Sequence, residues 1–261
     1  MALVLAPMMA SATPASACLN AVEGELNKPL KVVKAAEQHL FNGKLLLAAI
    51  NVKTTLPDVR ERRFLNGGNF DHAWTSHELT EAAVRTMALV TVRTGGAWIY
   101  KKNGTYVLAV PDEQHRLENL QWAVESLRLA WLPSRPGIID PFGDDRPAAK
   151  AQAAARPGVP PNPRDASNLA EALALLPAHH AEAKAILEDL AAKDVITSAS
   201  AYAALARLRA AASDTEGAKA ALQQCGVLGG KRARFVCVSD EPKPKFDPAL
   251  TESAPRGTKS S

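Results

Sequence analysis

The stretch Asp165–Ala192, which reads DASNLAEALALLPAHHAEAKAILEDLAA, decides the fold class of this chain. Its apolar residues recur every three or four positions, and this period places them on one face of an α-helix. Pro177 interrupts the period and ends the first helix, and Ala178 begins the second. Because the connection is short, we predict that the two helices pair antiparallel as a helical hairpin.

The same pattern continues towards the C-terminus and predicts a second hairpin. Its helices are expected at Ser198–Ala212 and Thr215–Cys225, with Ser213 and Asp214 as the turn. We expect both hairpins to share one core. Its predicted members recur at helical spacing and are Leu173, Leu176, Ile186, Leu187, Leu190, Tyr202, Leu205, Leu208 and Leu222.

The N-terminal half also carries helical patterns, with one interruption. Helices are predicted at Lys28–Gly43, with Pro29 in the first turn, at Lys44–Leu56, at about 77–93, and from about Asp112 or His115 to Trp131. Between the last two, Ala97–Val110 consists of two β-prone runs around Asn103-Gly104, a strong signal for a β-hairpin. The fold class is therefore all-α, with a small β-hairpin insertion near 97–110.

Composition and punctuation divide the chain into segments. Hydrophobic residues make up 47% of the sequence and aromatic residues only 5%, as expected for closely packed helices rich in Ala. The predicted organisation is a signal peptide at 1–17, an N-terminal helical domain with the β-hairpin insertion at 18–132, a Pro-rich linker at 133–164, C-terminal hairpins at 165–238 and a disordered tail at 239–261.

Small residues at helical contacts give the chain a family resemblance. The relevant runs are Ala36-Glu37-x-x-Leu40-x-x-Gly43-x-x-x-x-Ala48, Ala170-Glu-Ala-Leu173 with Ala181-Glu-Ala-Lys184-Ala185-Ile186-Leu187, and Ala201-Tyr202-Ala203-Ala204-Leu205-Ala206 with Gly217-Ala218-x-x-Ala221-Leu222. This pattern resembles a degenerate tetratricopeptide (TPR-like) repeat, over 28–56 and 165–225, without its 34-residue spacing. The layout is also similar to uncharacterised exported proteins of Gram-negative bacteria. The resemblance implies stacked antiparallel hairpins that bind another protein.

The N-terminus indicates export. Residues 1–17 are apolar and end in Ala15-Ser16-Ala17, a signal-peptidase pattern, although the usual positive segment before the apolar run is missing. Ala10-Ser11-Ala12 is a second cleavage site of the same type, so the mature chain is expected to begin near Cys18 or Thr13 and to be periplasmic or extracellular. A lipid anchor at Cys18 stays an alternative, although Ala15 stands where a lipoprotein signal has a Leu-like residue.

The other two cysteines are expected to form a disulfide. Cys225 and Cys237 flank the Gly-rich stretch Gly226–Gly230, so that a local bridge is easy to close, and an oxidising compartment would keep it. Cys18 is then free or intermolecular. The alternative is three buried thiols in a reduced protein.

Catalytic and ligand motifs are not found in the sequence. It has no Gly-x-Ser-x-Gly, no HExxH, no phosphate loop, and no His or Cys at metal-ligand spacing, so we expect no enzyme activity, no metal and no cofactor. A net charge of +4, spread over loops and tails, does not indicate a nucleic-acid partner. No apolar run reaches the roughly 18 residues of a membrane-spanning helix.

Two function classes fit these observations. The first is a non-enzymatic protein-binding or assembly scaffold in the bacterial cell envelope. The second is a ligand-binding or sensor module with an aromatic pocket in 74–131. The candidate binding surface consists of Trp74, Trp98, Tyr100 and Tyr106. Packing of these aromatic residues between the hairpin and the helices is the alternative to a binding role.

Overall fold

The computed structural model describes residues 15–60, 77–129, 162–237, 240 and 242–250, and within them the fold is mostly helical. The strands β1 (Trp98–Lys102) and β2 (Thr105–Ala109) form a small antiparallel sheet. The helices are α1 (Ala15–Phe41), α2 (Leu45–Thr55), α3 (His77–Arg93), α4 (Glu113–Leu129), α5 (Pro163–Leu173), α6 (His180–Ala192), α7 (Ala199–Ala211), α8 (Thr215–Gly229) and α9 (Ala233–Val236). The predicted fold class, helical with a small β-hairpin, is confirmed.

Polar caps set the starts of α5, α7 and α8. The side-chain oxygens of Asn162, Ser198 and Asp214 each accept a backbone N–H from the first turn of α5, α7 and α8, at 2.9, 3.1 and 2.9 Å. Pro163 follows the first cap directly, at a position where its missing N–H removes no helical bond. The starts of these three helices are therefore determined by residues close to them in the sequence.

The helices pack in a repeating order along the chain. Each of α1, α3, α5 and α7 contacts the next helix in sequence. The first helix of each pair also contacts the first helix of the next pair: α1 contacts α3, α3 contacts α5, and α5 contacts α7. The second helix of each pair contacts the same neighbour: α2 contacts α3, α4 contacts α5, and α6 contacts α7. Every described helix from α1 to α8 therefore has a neighbour to cover its apolar face.

One hydrophobic cluster runs through all of these helices. The predicted C-terminal core lies within it, since eight of its nine members are buried and Leu222 packs partly buried against them. Ion pairs join the N-terminal and C-terminal helices. Arg93 of α3 makes two hydrogen bonds to the buried carboxylate of Glu171 on α5, at 2.9 and 3.3 Å. Arg128 of α4 contacts both oxygens of Glu182 on α6 at 2.7 Å.

The β-hairpin forms where the sequence predicts it. Asn103 and Gly104 make the turn with φ angles of 50° and 78°, the left-handed conformation that favours Asn-Gly at this position. The register pairs Trp98 with Ala109 and Lys101 with Tyr106. Both strands pack on α2, so the sheet covers part of the helical core.

The predicted disordered tail is wrong for residues 242–250, which we call the strap. The strap runs beside the hairpin, where Val110 donates its N–H to Lys245 O at 2.9 Å and accepts one from Asp247 at 2.8 Å. Leu250 is buried. A Cβ on Gly95 would lie 1.9 Å from the carbonyl oxygen of Pro242, so the strap needs glycine at this position. The tail's polar composition carries no sign of these tertiary contacts.

Several helix boundaries also differ from the sequence prediction: α5 ends at Leu173 before reaching Pro177, α6 begins at His180 instead of Ala178, and larger differences occur at α1 and α8. Helix α1 begins at Ala15, so Pro29 lies inside it instead of in a first turn, and the last residues of the predicted signal peptide belong to this helix. Helix α8 continues through the Gly-rich stretch to Gly229. A Cβ on Gly229 would lie 3.2 Å from Ala233 Cβ and 3.4 Å from Cys237 Sγ, so glycine allows close packing here in place of a turn.

Candidate functional site

The aromatic region at 98–122 is built as a packed cluster. The rings of Trp98 on β1 and Trp122 on α4 meet edge to face, with centroids 5.0 Å apart and planes at 85°. Trp122 donates its indole N–H to the carbonyl oxygen of Arg60 at 3.0 Å. The guanidinium carbon of Arg60 lies 5.0 Å from the centroid of the Trp98 ring, within range of a cation–π contact.

Buried Asn119 completes the polar side of this cluster. Its Oδ1 accepts a hydrogen bond from Arg60 at 2.7 Å, and its Nδ2 donates to the carbonyl oxygen of Gly96 at 2.9 Å. The polar groups of the cluster are therefore satisfied by one another. This network fixes the hairpin on α4.

The predicted binding residues do not form one surface. Trp98 is 3% exposed and Tyr100 is 6% exposed, and burial raises the pKa of the Tyr100 hydroxyl. Tyr106 is half-buried and pairs with Lys101, so it lies on the opposite face of the sheet from Trp98 and Tyr100. Trp74 lies outside the described residues. These positions favour the packing role for Trp98 and Tyr100.

A groove between α6, α7 and α8 is the more open candidate. Its volume is about 360 Å³. Its walls carry small and polar side chains. Gln223 and Gln224 are exposed there, and each amide offers both hydrogen-bond donors and an acceptor. The residues that line it are Glu188, Ala191, Ala192, Asp194, Tyr202, Arg209, Ala220, Ala221, Gln223 and Gln224.

An ion pair holds the shape of this groove. Arg209 of α7 binds both carboxylate oxygens of Glu188 on α6, one of them at 2.9 Å, and donates to the carbonyl oxygen of Gly217 at 3.0 Å. The hydrogen bond from Arg209 lowers the pKa of Glu188, and Glu188 raises the pKa of Arg209. Burial raises the pKa of Tyr202 beside them. The charged groups that line the groove are therefore this ion pair and the exposed carboxylate of Asp194.

Sequence reasoning missed this groove. Glu188 and Arg209 are 21 positions apart on different helices, and no short-range spacing signals their pairing. Gln223 and Gln224 look like ordinary solvent-facing residues of α8 in the sequence. The alanines are its one sequence signal, since the TPR-like pattern already assigns small residues to the contacts of these helices.

The predicted disulfide between Cys225 and Cys237 is confirmed by the structure. Cys225 and Cys237 form a disulfide, with their Cα atoms 5.7 Å apart. Cys225 also lies against the carbonyl oxygen of Ala199 at the start of α7, so the bridge ties the chain after α8 to the packed helices.

Metal and membrane features were sought in the described part of the chain. Within residues 15–60, 77–129 and 162–250, with the stated gaps, no group of three or more His, Cys, Asp and Glu side chains could hold a metal ion. The same residues include no helix with both the length and the apolar character needed to cross a bilayer. Comparison of the chain with protein-family models, with curated proteins and with solved structures gives no match.

Proposed function

We propose that this chain is an exported, non-enzymatic scaffold of stacked TPR-like hairpins that binds another protein. The packing order supports the stacking: α1/α2, α3/α4, α5/α6 and α7/α8 are consecutive pairs, and each pair contacts the next through both of its helices. In helical repeats this order buries the face that one hairpin alone leaves exposed. The disulfide, together with the lack of a spanning helix among the described residues, is compatible with export.

The groove between α6, α7 and α8 is the observation that carries the proposal. Ala192 and Ala220 are exposed and leave room for a bound chain. Gln223 and Gln224 offer amide donors and acceptors of the kind that pair with a peptide backbone. The Glu188–Arg209 pair is already satisfied, so that the base of the groove does not require a charged ligand. A polar peptide segment is the ligand that fits these features.

The ligand-binding alternative in 74–131 receives less support. Its two best aromatic residues, Trp98 and Tyr100, are buried in the described part of the region. Their polar neighbours Arg60 and Asn119 bind each other. We therefore place the binding site on the C-terminal hairpins.

The test is capture from a cell-envelope extract with the immobilised full chain. Ala220→Arg would place a long side chain in the groove. Because Ala220 is an exposed helical residue, the free energy of unfolding should change by no more than about 0.5 kcal/mol. Ala35→Arg makes the same change on the exposed side of α1 and is the matched control.

The expected result is a protein that the unmodified chain and the Ala35→Arg variant retain and that the Ala220→Arg variant loses. Circular dichroism melts should show that all three chains fold alike. Equal capture by all three chains would contradict the groove as the binding site, and failure of the unmodified chain to retain any protein would contradict the scaffold function.

A further inference from the structure

Two turns of the chain that are far apart in sequence touch each other. Residues 41–47 comprise the last residue of α1, the turn after it and the first residues of α2, and residues 227–235 comprise the end of α8, the turn after it and the start of α9. The guanidinium carbon of Arg232 lies 4.7 Å from the ring centroid of Phe41, which makes a cation–π contact between the two turns. We call residues 41–47 and 227–235 together the paired turns.

Large apolar side chains of the paired turns face the solvent. Phe41 is 64% exposed, Val227 75% and Phe235 69%. Leu47 and Leu228 are also exposed. Single exposed apolar residues are ordinary in proteins, but several on two touching segments indicate a surface that binds something.

The charge of the paired turns is entirely positive. Lys44, Lys231, Arg232 and Arg234 lie among the apolar residues, and the sequence has no Asp or Glu from residue 38 to 57 or from residue 217 to 237. Within the described part of the chain, no acidic side chain forms an ion pair with any of these four cations. The positive charge is therefore available to an anionic partner.

The C-terminal member of the pair is held in place by covalent and packing contacts. The Cys225–Cys237 disulfide spans residues 227–235, and Cys225 is buried against α7. The guanidinium of Arg234 stacks on the ring of Phe235, with 4.5 Å between its carbon and the ring centroid. A cation and an aromatic ring are thus presented together on a closed loop.

We propose that the paired turns dock the protein on an anionic phospholipid surface. Phe41, Val227 and Phe235 would enter the interface between headgroups and acyl chains, while the lysines and arginines pair with lipid phosphates. The combination of exposed apolar side chains with charge of one sign favours an anionic lipid surface, because its phosphates neutralise the cations while its interface accepts the apolar groups. None of these residues lines the groove between α6, α7 and α8, so this surface is independent of the proposed peptide site.

The test is flotation of the full chain with vesicles of phosphatidylcholine containing about 30% phosphatidylglycerol, and with vesicles of phosphatidylcholine alone. A basic residue near the surface is worth about fivefold in binding, so Lys231→Gln with Arg234→Gln should weaken partitioning on the order of twentyfold. Phe235→Ser should weaken it about tenfold through the lost apolar contact. At about 1 M salt, where the Debye length is about 3 Å, binding should fall steeply.

A matched control separates the surface from total charge. Lys193→Gln with Lys219→Gln removes the same charge from two exposed lysines outside the paired turns and should bind the anionic vesicles like the unmodified chain. The proposal is overturned if the two double variants bind equally, if phosphatidylcholine alone binds as well, or if the unmodified chain does not float. A dimer in solution that Phe235→Ser converts to a monomer would assign the surface to a second copy and would also overturn it. Failure of this test leaves the groove experiment unaffected.

Discussion

Leu205→Ala is the sharpest test of how the C-terminal helices pack. Leu205 lies in the middle of α7 with no exposed surface, and α7 contacts α5, α6, α8 and α9. Removing three carbon atoms forfeits about 2.4 kcal/mol of transfer free energy, and the cavity that remains raises the total towards 5 kcal/mol. We therefore expect Leu205→Ala to lower the free energy of unfolding of the full chain by about 2–5 kcal/mol.

Urea denaturation followed by circular dichroism measures this loss. Two controls bracket it: Leu47→Ala makes the same chemical change at an exposed site, and Lys193→Ala removes only an exposed pair with Asp189. Both should stay within about 0.5–1 kcal/mol of the unmodified chain. If Leu205→Ala and Lys193→Ala unfold at the same urea concentration, the assignment of the buried face of α7 is wrong.

Three further predictions concern the disulfide, an ion pair and the strap. Cys237→Ser removes a disulfide of sequence separation 12 and should lower the free energy of unfolding by roughly 3 kcal/mol. Reductant should then no longer change the denaturation midpoint of the variant, and a midpoint equal to that of the unmodified chain would refute the bridge. Arg209 lowers the pKa of Glu188, so this pair stabilises the fold above pH about 4.3 and loses its effect as the pH falls through the lowered value. When the pH is lowered from about 5 to about 3, the free energy of unfolding should fall in both chains, but by up to about 1 kcal/mol less in the Glu188→Gln variant, which lacks the ion pair. An equal fall in the two chains would contradict this prediction. Leu250→Ala should cost about 2 kcal/mol in the same assay if the strap is docked, and nothing measurable if it is not.

Local signals predicted most of the helices and the hairpin. The caps Ser198 and Asp214, the helix-ending Gly95 and the Asn103-Gly104 turn each act within a few residues, so their effect is readable from the sequence alone. The buried positions of the helices could be predicted for the same reason. The helical period identifies which side of a helix is apolar, even when the neighbour that covers this side is not known.

Features that join distant segments were not predictable in this way. The pairing of Arg209 with Glu188, the contact of Arg232 with Phe41 and the docking of Leu250 depend on how helices stack, and no spacing in the sequence encodes that arrangement. The strap shows the limit most clearly. Its composition is that of a disordered tail, and its order comes from hydrogen bonds to Val110, which only the folded hairpin offers.

The buried polar residues of α5 show why the C-terminal hairpins depend on the helices that precede them. Ser167, Asn168 and Glu171 are all buried on this helix, which lies against α3, α4, α6 and α7. A helix covered on so many sides cannot keep its polar groups in water, and the carboxylate of Glu171 is stabilised by Arg93 from α3 instead. A fragment starting at α5 would lose this partner and expose the face that α3 and α4 cover. Mutational effects on the C-terminal hairpins must therefore be measured in the full chain, because the neighbouring hairpin supplies part of their core.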